Sequence, residues 1–533
     1  MVDSIPIPSA TPEFATAVTI AVAAMLVVSA GIGFYFFRKT KNFDEWMVGH
    51  RDMGPIVTGL ALTATWLSGW AIFGNAGLGY TYGWSGSWLI GIMNLMGLSL
   101  CVIIGYRMRR YASMGARTVP EVARLRFDSK VVQGLAGVTM IILLLVYSVI
   151  QYKAMASVWK LTTGTDWLLS LVITAILCAT YIVVGGYAGT QVSVALQGGI
   201  FMIVGWAFGI ASIFWAGGPA KIAEVIATTT YVRPGGNVTT AIPLEGYTAP
   251  LAPSFPGYDW IGVMGAMFMF LLMATGFPHN IARFLGCRKT TKKDYTILMV
   301  IVILNCVTPL MIGAMGFAAR TVWGADLMPA NPPVFGDAAA SLVSMAIGGP
   351  VGAAIFSMAV FAAAVSTLAG MVMIMATNMS RDLIHNALPK TSPKLLLNLS
   401  RLFVIPFVVL PLWWNYTSAP PVLAEFGAGS AVAQAGIFFF VVAISMYWKR
   451  ATKWGAIATI VYGMAVSLLH PSVYGKFLPP FTHWGVWALV LMFGCGAIYV
   501  GVSLMTKPMP EEKLAKLFSQ KPPEECNLQD TKT

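Results

Sequence analysis

The chain has 533 residues, 57% of them hydrophobic and only 10% charged, with a mean hydropathy of +0.73; a soluble domain carries about 25% charged residues, so that class is excluded. The net charge of +13 accompanies apolar runs of about 20 residues, the length of a helix crossing about 30 Å of hydrocarbon. The basic residues therefore read as loops against anionic headgroups and call for no nucleic acid, and the runs lack the period-2 alternation of a membrane barrel.

The class is all-α integral membrane, and thirteen runs follow in chain order. The first, 14–37, lies in an extra N-terminal segment, 1–40; Arg38, Lys39 and Lys41 follow it instead of preceding it, unlike a signal peptide. The next five are 55–80, 84–106, 131–158, 166–184 and 189–215. A Pro-, Gly- and Thr-rich loop, 216–258, then divides the chain. Five more follow at 259–282, 295–319, 350–378, 400–418 and 422–447. Two extra helices, 454–470 and 482–506, occupy the segment 448–506, and the polar tail 507–533 offers an amphipathic turn or two and otherwise disorder. With the N-terminus outside and the C-terminus inside, all but six of the 34 Lys and Arg fall in inner loops or the tail, as the positive-inside rule requires. The six cysteines have no paired spacing, so no disulfide frame or zinc site is suggested. No nucleotide-binding signature is present, which leaves ATP without a role as driver.

Setting aside the extra helices leaves five spans in 54–215 and five in 259–447. The first of each set is interrupted, by Gly and hydroxyls in 55–80 and by Thr275, Gly276 and Pro278 in 259–282. Interrupted spans at matching positions point to an inverted-repeat transporter with its site at the interruptions, and an odd number of spans per set makes the second set run in the opposite sense.

The stretch 61–77, "ALTATWLSGWAIFGNAG", puts three hydroxyls, an amide and three glycines into an apolar span. A broken helix there exposes carbonyls that a sodium ion or polar solute could satisfy; the alternative is close helix packing on small residues. On the ninth span Ala363, Ser366 and Thr367 stand at i, i+3 and i+4 and share one face. Two hydroxyls and a carbonyl suit a small hard cation, although such hydroxyls also bond back to their own helix. Trp66 lies about a dozen residues into its span, too deep for an interfacial anchor, and reads as a wall of the solute pocket. Lys153 either snorkels to water or faces a central cavity with Gln151. His279 reads as a cap on helix carbonyls, Arg283 as a topology-fixing start of a basic loop, and Asp382 as a local partner of Arg381 or a helix terminus.

Five motifs in order, "TATWLSGW" at 63–70, "VVGGYAGTQVSVALQ" at 183–197, "GFPHNIARF" at 276–284, "AAAVSTLAG" at 362–370 and "NMSRDLI" at 378–384, resemble those of the sodium:solute symporters over roughly residues 40 to 450. The resemblance implies thirteen spans and a LeuT-type core of five plus five inverted helices. It implies a sodium site from the backbone oxygens of Ala64, Leu67 and Ala363 and the hydroxyls of Ser366 and Thr367. The solute is expected beside the interruptions, at Trp66, Ser68, Gly69, Gln151, Lys153, Thr275 and Gly276. Two positions depart from the family pattern: Trp66 replaces the acidic residue of the sodium/proline branch, and Val194 replaces an aspartate linked to sodium release or a second ion.

The implied function is sodium-coupled symport of a small organic solute by alternating access, in a multi-pass protein of the plasma (cell inner) membrane, with Na+ the coupling ion and no other cofactor. "GNAGLGYTYGW" and "GFPHNIARF" look most like the monocarboxylate and pantothenate branches, and Lys153 suits an anion. Choline, proline or another zwitterion is the competing solute, and a membrane-embedded solute sensor the non-transport alternative. Nothing suggests an enzyme.

Overall fold

The structure, a computed structural model, describes residues 5–40, 42–228, 230–231, 242–243, 259–288, 291–324, 338–419, 423–469 and 483–518. The chain enters α1 (Pro12–Lys39), where Thr11 caps the first turn and Pro12 sits at a position that needs no N–H. A short helix α2 (Phe43–Val48), capped by Asn42, leads to α3 (Pro55–Trp66), which stops in mid-span and resumes through a π turn, Trp70–Gly74, as α4 (Asn75–Tyr82). Helix α5 (Trp84–Ser113) returns, α6 (Val119–Phe127) fills the connection, and α7 (Lys130–Thr163) crosses again. The next two apolar runs form one continuous element, α8 (Trp167–Trp215), folded at Gly186 with φ 55° and ψ −165°. Only glycine suits that conformation, and a Cβ there would lie 3.0 Å from the Trp46 ring.

Of the loop 216–258 the structure describes α9 (Pro219–Thr228) and a two-residue antiparallel pair, Thr230–Tyr231 with Ile242–Pro243. Helix α10 (Trp260–Gly276) breaks at Phe277 and continues as α11 (Pro278–Ile281) and a 3-10 turn, Ala282–Gly286. The run 295–319 is not one helix: α12 (Lys292–Asn305) and α13 (Thr308–Trp323) meet at Cys306–Val307, next to Pro309, whose ring and missing N–H break the ladder. The amide of Asn75 donates to the carbonyl of Pro309, which accounts for one polar residue of the stretch 61–77.

Helix α14 (Ala339–Thr377) bends at Gly349, φ 55°, ahead of Pro350, and passes into a π turn, Asn378–His385. Then come α15 (Pro393–Ser418), α16 (Leu423–Phe438), α17 (Lys453–Ser467), α18 (Trp484–Met505) and α19 (Glu511–Phe518). Among the described residues eight helical stretches are long and apolar enough to cross a membrane, α12 with α13 counting as one and α8 from Gly186 as another, or ten if each bent pair is also one span; the bends are 56° at Leu67–Gly69 and 42° at Phe277. Helix α14 is the hub: 89% of its apolar window is buried, against 33% for α1, α15 and α18 at the periphery. Small residues let the helices approach closely, as where a Cβ on Gly79 of α4 would come 2.7 Å from the carbonyl oxygen of Gly313 on α13.

The tail forms one short helix, α19, of about the two turns read from its sequence. Helix α19 docks through buried Leu517, an ion pair of Lys513 with Asp128, and Phe518 beneath the Arg126 guanidinium at 5.3 Å. The expected disorder of 519–533 lies outside the described residues.

Candidate functional site

In an unbroken helix the carbonyls of Ala64 and Thr65 would accept the N–H groups of Ser68 and Gly69. Here Ser68 N donates to Trp66 O at 3.0 Å and Gly69 N donates to the side-chain oxygen of Gln151 at 2.9 Å. Both carbonyls are thereby released, and α14 takes them. Ser366 Oγ donates to Ala64 O at 3.1 Å, and Thr367 Oγ1 donates to Thr65 O at 3.0 Å. The same hydroxyls reach the carbonyl of Ala363, at 2.8 and 3.1 Å. Five uncharged oxygens thus converge in a fully buried spot, the donor set that a small hard cation accepts.

Four of the five expected sodium ligands meet in this cluster. Leu67 stands at the break itself, φ −82° and ψ 72°, and its carbonyl loses its helical donor because Ala71 N bonds Ser68 O at 2.9 Å. The carbonyl beside Thr367 is that of Thr65, which the sequence reading did not include. On the α8 side the cluster is closed by apolar packing of Val194 and Ala195 on Ala61 and Ala64. No carboxylate approaches from that face among the described residues.

The second break supplies aromatic walls. Phe277, its pivot, lies 5.9 Å from the Trp66 ring and 5.2 Å from that of Tyr147, and the His279 ring stacks 4.7 Å from Phe277. Trp66 Nε1 donates to Asn94 Oδ1 at 2.7 Å. Around these rings several buried amide atoms have no hydrogen-bond partner: Gln151 Nε2, Asn94 Nδ2, Gln434 Oε1 and both polar atoms of Asn280. Each such atom costs roughly 1–3 kcal/mol if left unmatched, and together they offer both donors and acceptors. His279 does not cap carbonyls as expected: both ring nitrogens lack partners and the ring packs on aromatics.

The remaining expected solute residues divide. Gly69 and Gln151 meet directly, and a Cβ on Gly69 would lie 2.7 Å from Ala154 Cβ, so the face of α7 carrying Gln151 and Ala154 looks into the break. Lys153, two positions from Gln151 and so about 200° round the helix, is buried at 9% exposure off that face. It neither stands out at the surface nor shares the cavity face with Gln151. Ser68 Oγ accepts from Trp70 N at 3.2 Å, tying the broken end together. Thr275 bonds back to Leu272 O at 2.9 Å, and Gly276 packs on α16, where a Cβ would come 2.7 Å from Gln434 O.

At the end of the molecule that carries α19, a cavity lined by Arg117, Thr118, Thr190, His279, Arg283 and Gly370 lies below the oxygen cluster. Arg283, expected to start a solvent-facing basic loop, is only 3% exposed and turns inward. Its Nη2 donates to Thr65 Oγ1 at 2.8 Å and its Nη1 to Gln191 Oε1, while its carbonyl accepts from Tyr187 at 2.8 Å. Beside it, Met53 N donates to Gly286 O and Arg288 N to Met53 O, at 3.4 and 3.1 Å. Further out, Arg381 pairs with Glu121 at 2.7 Å, and Asp382 accepts from Thr118 at 2.8 Å and Gln133 at 2.7 Å. Asp382 is thus a link between α14, α6 and α7, and not simply a local partner of Arg381.

The comparisons with known proteins agree with this geometry. The model of the sodium:solute symporter family matches residues 46–463. The osmoregulated proline transporter OpuE of Bacillus subtilis (strain 168) is 25% identical over 453 residues, 82% of this chain and 85% of its own. The sodium/proline symporter of Staphylococcus aureus (strain NCTC 8325 / PS 47) is 25% identical over 514 residues, 92% and 93% of the two chains. A Na+-coupled sialic acid symporter, solved in a substrate-bound outward-open state, superposes with a TM-score of 0.70 at 18% identity over 92% of this chain and 98% of its own, a likeness of fold. With a broken helix pair, an all-oxygen cluster between its first half and α14, and a family match across most of its length, the chain belongs to the sodium:solute symporter family.

Proposed function

We propose that this sodium-coupled symporter carries one compact zwitterionic solute with one sodium ion, the ion among Ala64, Leu67, Ala363, Ser366 and Thr367 and the solute between Trp66, Gln151 and Phe277. The observation that carries the reading is the release of two consecutive carbonyls at the break and their capture by two hydroxyls of α14. In this reading the chain has thirteen spans, N-terminus outside and C-terminus inside, with 54–215 and 259–447 as inverted repeats. The end around Arg283 is then cytoplasmic.

A zwitterion fits for three reasons. Half-helix ends at a break hold opposite partial charges, favouring a solute that carries both signs. The unpartnered groups around the breaks are amides and the His279 imidazole, with no carboxylate among them, and the faces of Trp66, Tyr147 and Phe277 attract a cationic nitrogen. The relatives' names point to proline, and the monocarboxylate or pantothenate expectation finds no support in them. Because Trp66 stands in place of an acid, ring faces hold the nitrogen, and N-alkylated amino acids, proline among them, are the favoured class. Val194, packed against Ala64, supports a single sodium.

One positive charge moved through 100 mV releases about 2.3 kcal/mol, or roughly fiftyfold accumulation of a net-neutral solute. The test is radiolabelled uptake into proteoliposomes of proline, a methylated amino acid, choline, lactate and pantothenate, with and without a sodium gradient. The expected result is sodium-stimulated, electrogenic uptake of the zwitterions. Electroneutral uptake of lactate or pantothenate would overturn the solute class, and sodium current without solute would indicate a channel.

A further inference from the structure

Away from the transport path, at the end that carries α19, a polar cavity and an apolar groove meet. The cavity, about 480 Å³, lies between the end of α6, the start of α17 and the link 506–510; Arg126, Lys453 and Lys507 line it, with Asp128 as the carboxylate among its lining residues. The groove, about 720 Å³, runs between α17 and α18 and is walled by Ile457, Ala458, Val461, Ile498 and Val502. Trp454 and Thr506 belong to both.

The cavity is built for an anion. Arg126 is fully buried; its Nη2 donates to Trp448 O at 2.7 Å, yet its Nη1 has no hydrogen-bond partner. Its Nε is held by the carbonyl of Ser445, so Nη1 is the nitrogen left to donate to a phosphate or carboxylate oxygen, a charge-assisted bond. The N-terminus of α17, a helix of 15 residues capped by Thr452, opens beside it and adds positive potential. The one opposing charge, Asp128, is engaged by Lys513. A free inorganic anion would leave the adjoining groove unfilled, whereas a lipid tail matches its mainly aliphatic walls, completed by Tyr462, and the exposed Trp454 and Val461 at its rim.

We infer that an anionic glycerophospholipid is held here, its phosphate against Arg126, Lys453 and Lys507 and one acyl chain along the α17–α18 groove. The headgroup bridges α6, α17 and the link to α19, so the lipid fastens the tail to the transporter.

The test is native mass spectrometry of the full-length chain in detergent, titrated with phosphatidylglycerol, with zwitterionic phosphatidylethanolamine and with inorganic phosphate. One phosphatidylglycerol adduct is expected, preferred over phosphatidylethanolamine and retained in excess phosphate. Lys453→Gln and Lys507→Gln should each weaken it about fivefold, and Ala458→Trp, which fills the groove, by about tenfold. Arg126→Gln should abolish it but also unties the carbonyls at 445 and 448, so the lysine and groove variants carry the result. Equal binding of both lipids, or unchanged binding in the lysine variants, would overturn the inference. Displacement by phosphate, or indifference to Ala458→Trp, would replace the lipid with a free anion.

Discussion

Replacing Arg283 by leucine removes a cation that holds three elements together. Its guanidinium joins Thr65 on α3 and Gln191 on α8 to the second broken helix, at 3% exposure. Hydrogen bonds from a charged donor are worth about 1.5–3 kcal/mol each. Thr65 keeps its own bond to Ala61 O at 2.7 Å, whereas Gln191 Oε1 is left without its donor, so the net loss is close to that of one such bond. If these contacts exist only while this end is closed, the closed-to-open ratio falls by about 10- to 150-fold. Cys287 is a native reporter: it is 5% exposed, 3.3 Å from Thr58 on α3, and becomes reachable only when α3 moves away. With the other five cysteines replaced, labelling of Cys287 by a membrane-impermeant maleimide from the α19 side should accelerate at least about tenfold in Arg283→Leu. Arg283→Lys, which keeps the charge but not the fork, should lie between. An unchanged labelling rate in a normally folded Arg283→Leu protein would refute the idea that this side chain keeps the end shut.

Gln151→Leu removes the acceptor of Gly69 N–H and should raise the KM for solute by about 5- to 150-fold while sodium still stimulates uptake; an unaltered KM would show that the amide merely packs. Gly276→Ala drives a Cβ to 2.7 Å from Gln434 O and 2.8 Å from Ala435 Cα, both backbone atoms, and should destabilise the protein by about 1–3 kcal/mol, read as a lower Tm in detergent. Lys513 holds the Asp128 carboxyl below its usual range. The charged form is therefore favoured when α19 is docked, so this contribution is complete above the ordinary aspartate range and is lost as pH falls through the lowered value. Hydrogen-exchange protection across 511–518, taken relative to the intrinsic rate at each pH, should not vary between about pH 5 and 8 and should fall only in stronger acid; loss of protection near neutrality would implicate another group.

What could be read from residues alone followed from periodicity. Ala363, Ser366 and Thr367 share a helical face by spacing, and glycine, hydroxyls and proline in apolar runs mark both breaks, at Leu67–Gly69 and Phe277. The identity of the second released carbonyl was not legible, because it depends on where Gly69 N finds its acceptor, and Gln151 lies 82 residues away. Arg283 had the sequence context of a basic loop; only the fold brings Thr65 and Gln191 to it. For Lys153 the signal was present, since residues two apart on a helix cannot share a face with Gln151. Pro309 likewise marked the break between α12 and α13. The docking of α19 rests on Phe518 and Leu517, too few apolar residues to stand out in a polar tail.

The central claim is that the carbonyls of Ala64, Leu67 and Ala363 and the hydroxyls of Ser366 and Thr367 form the sodium site, and sodium-dependent uptake by the Ser366→Ala, Thr367→Ala double variant tests it most directly. Loss of two oxygen ligands should raise the sodium needed for half-maximal uptake by about 100-fold or more, with the fold intact by size-exclusion profile and Tm. Half-saturation by sodium at the wild-type concentration would contradict the account.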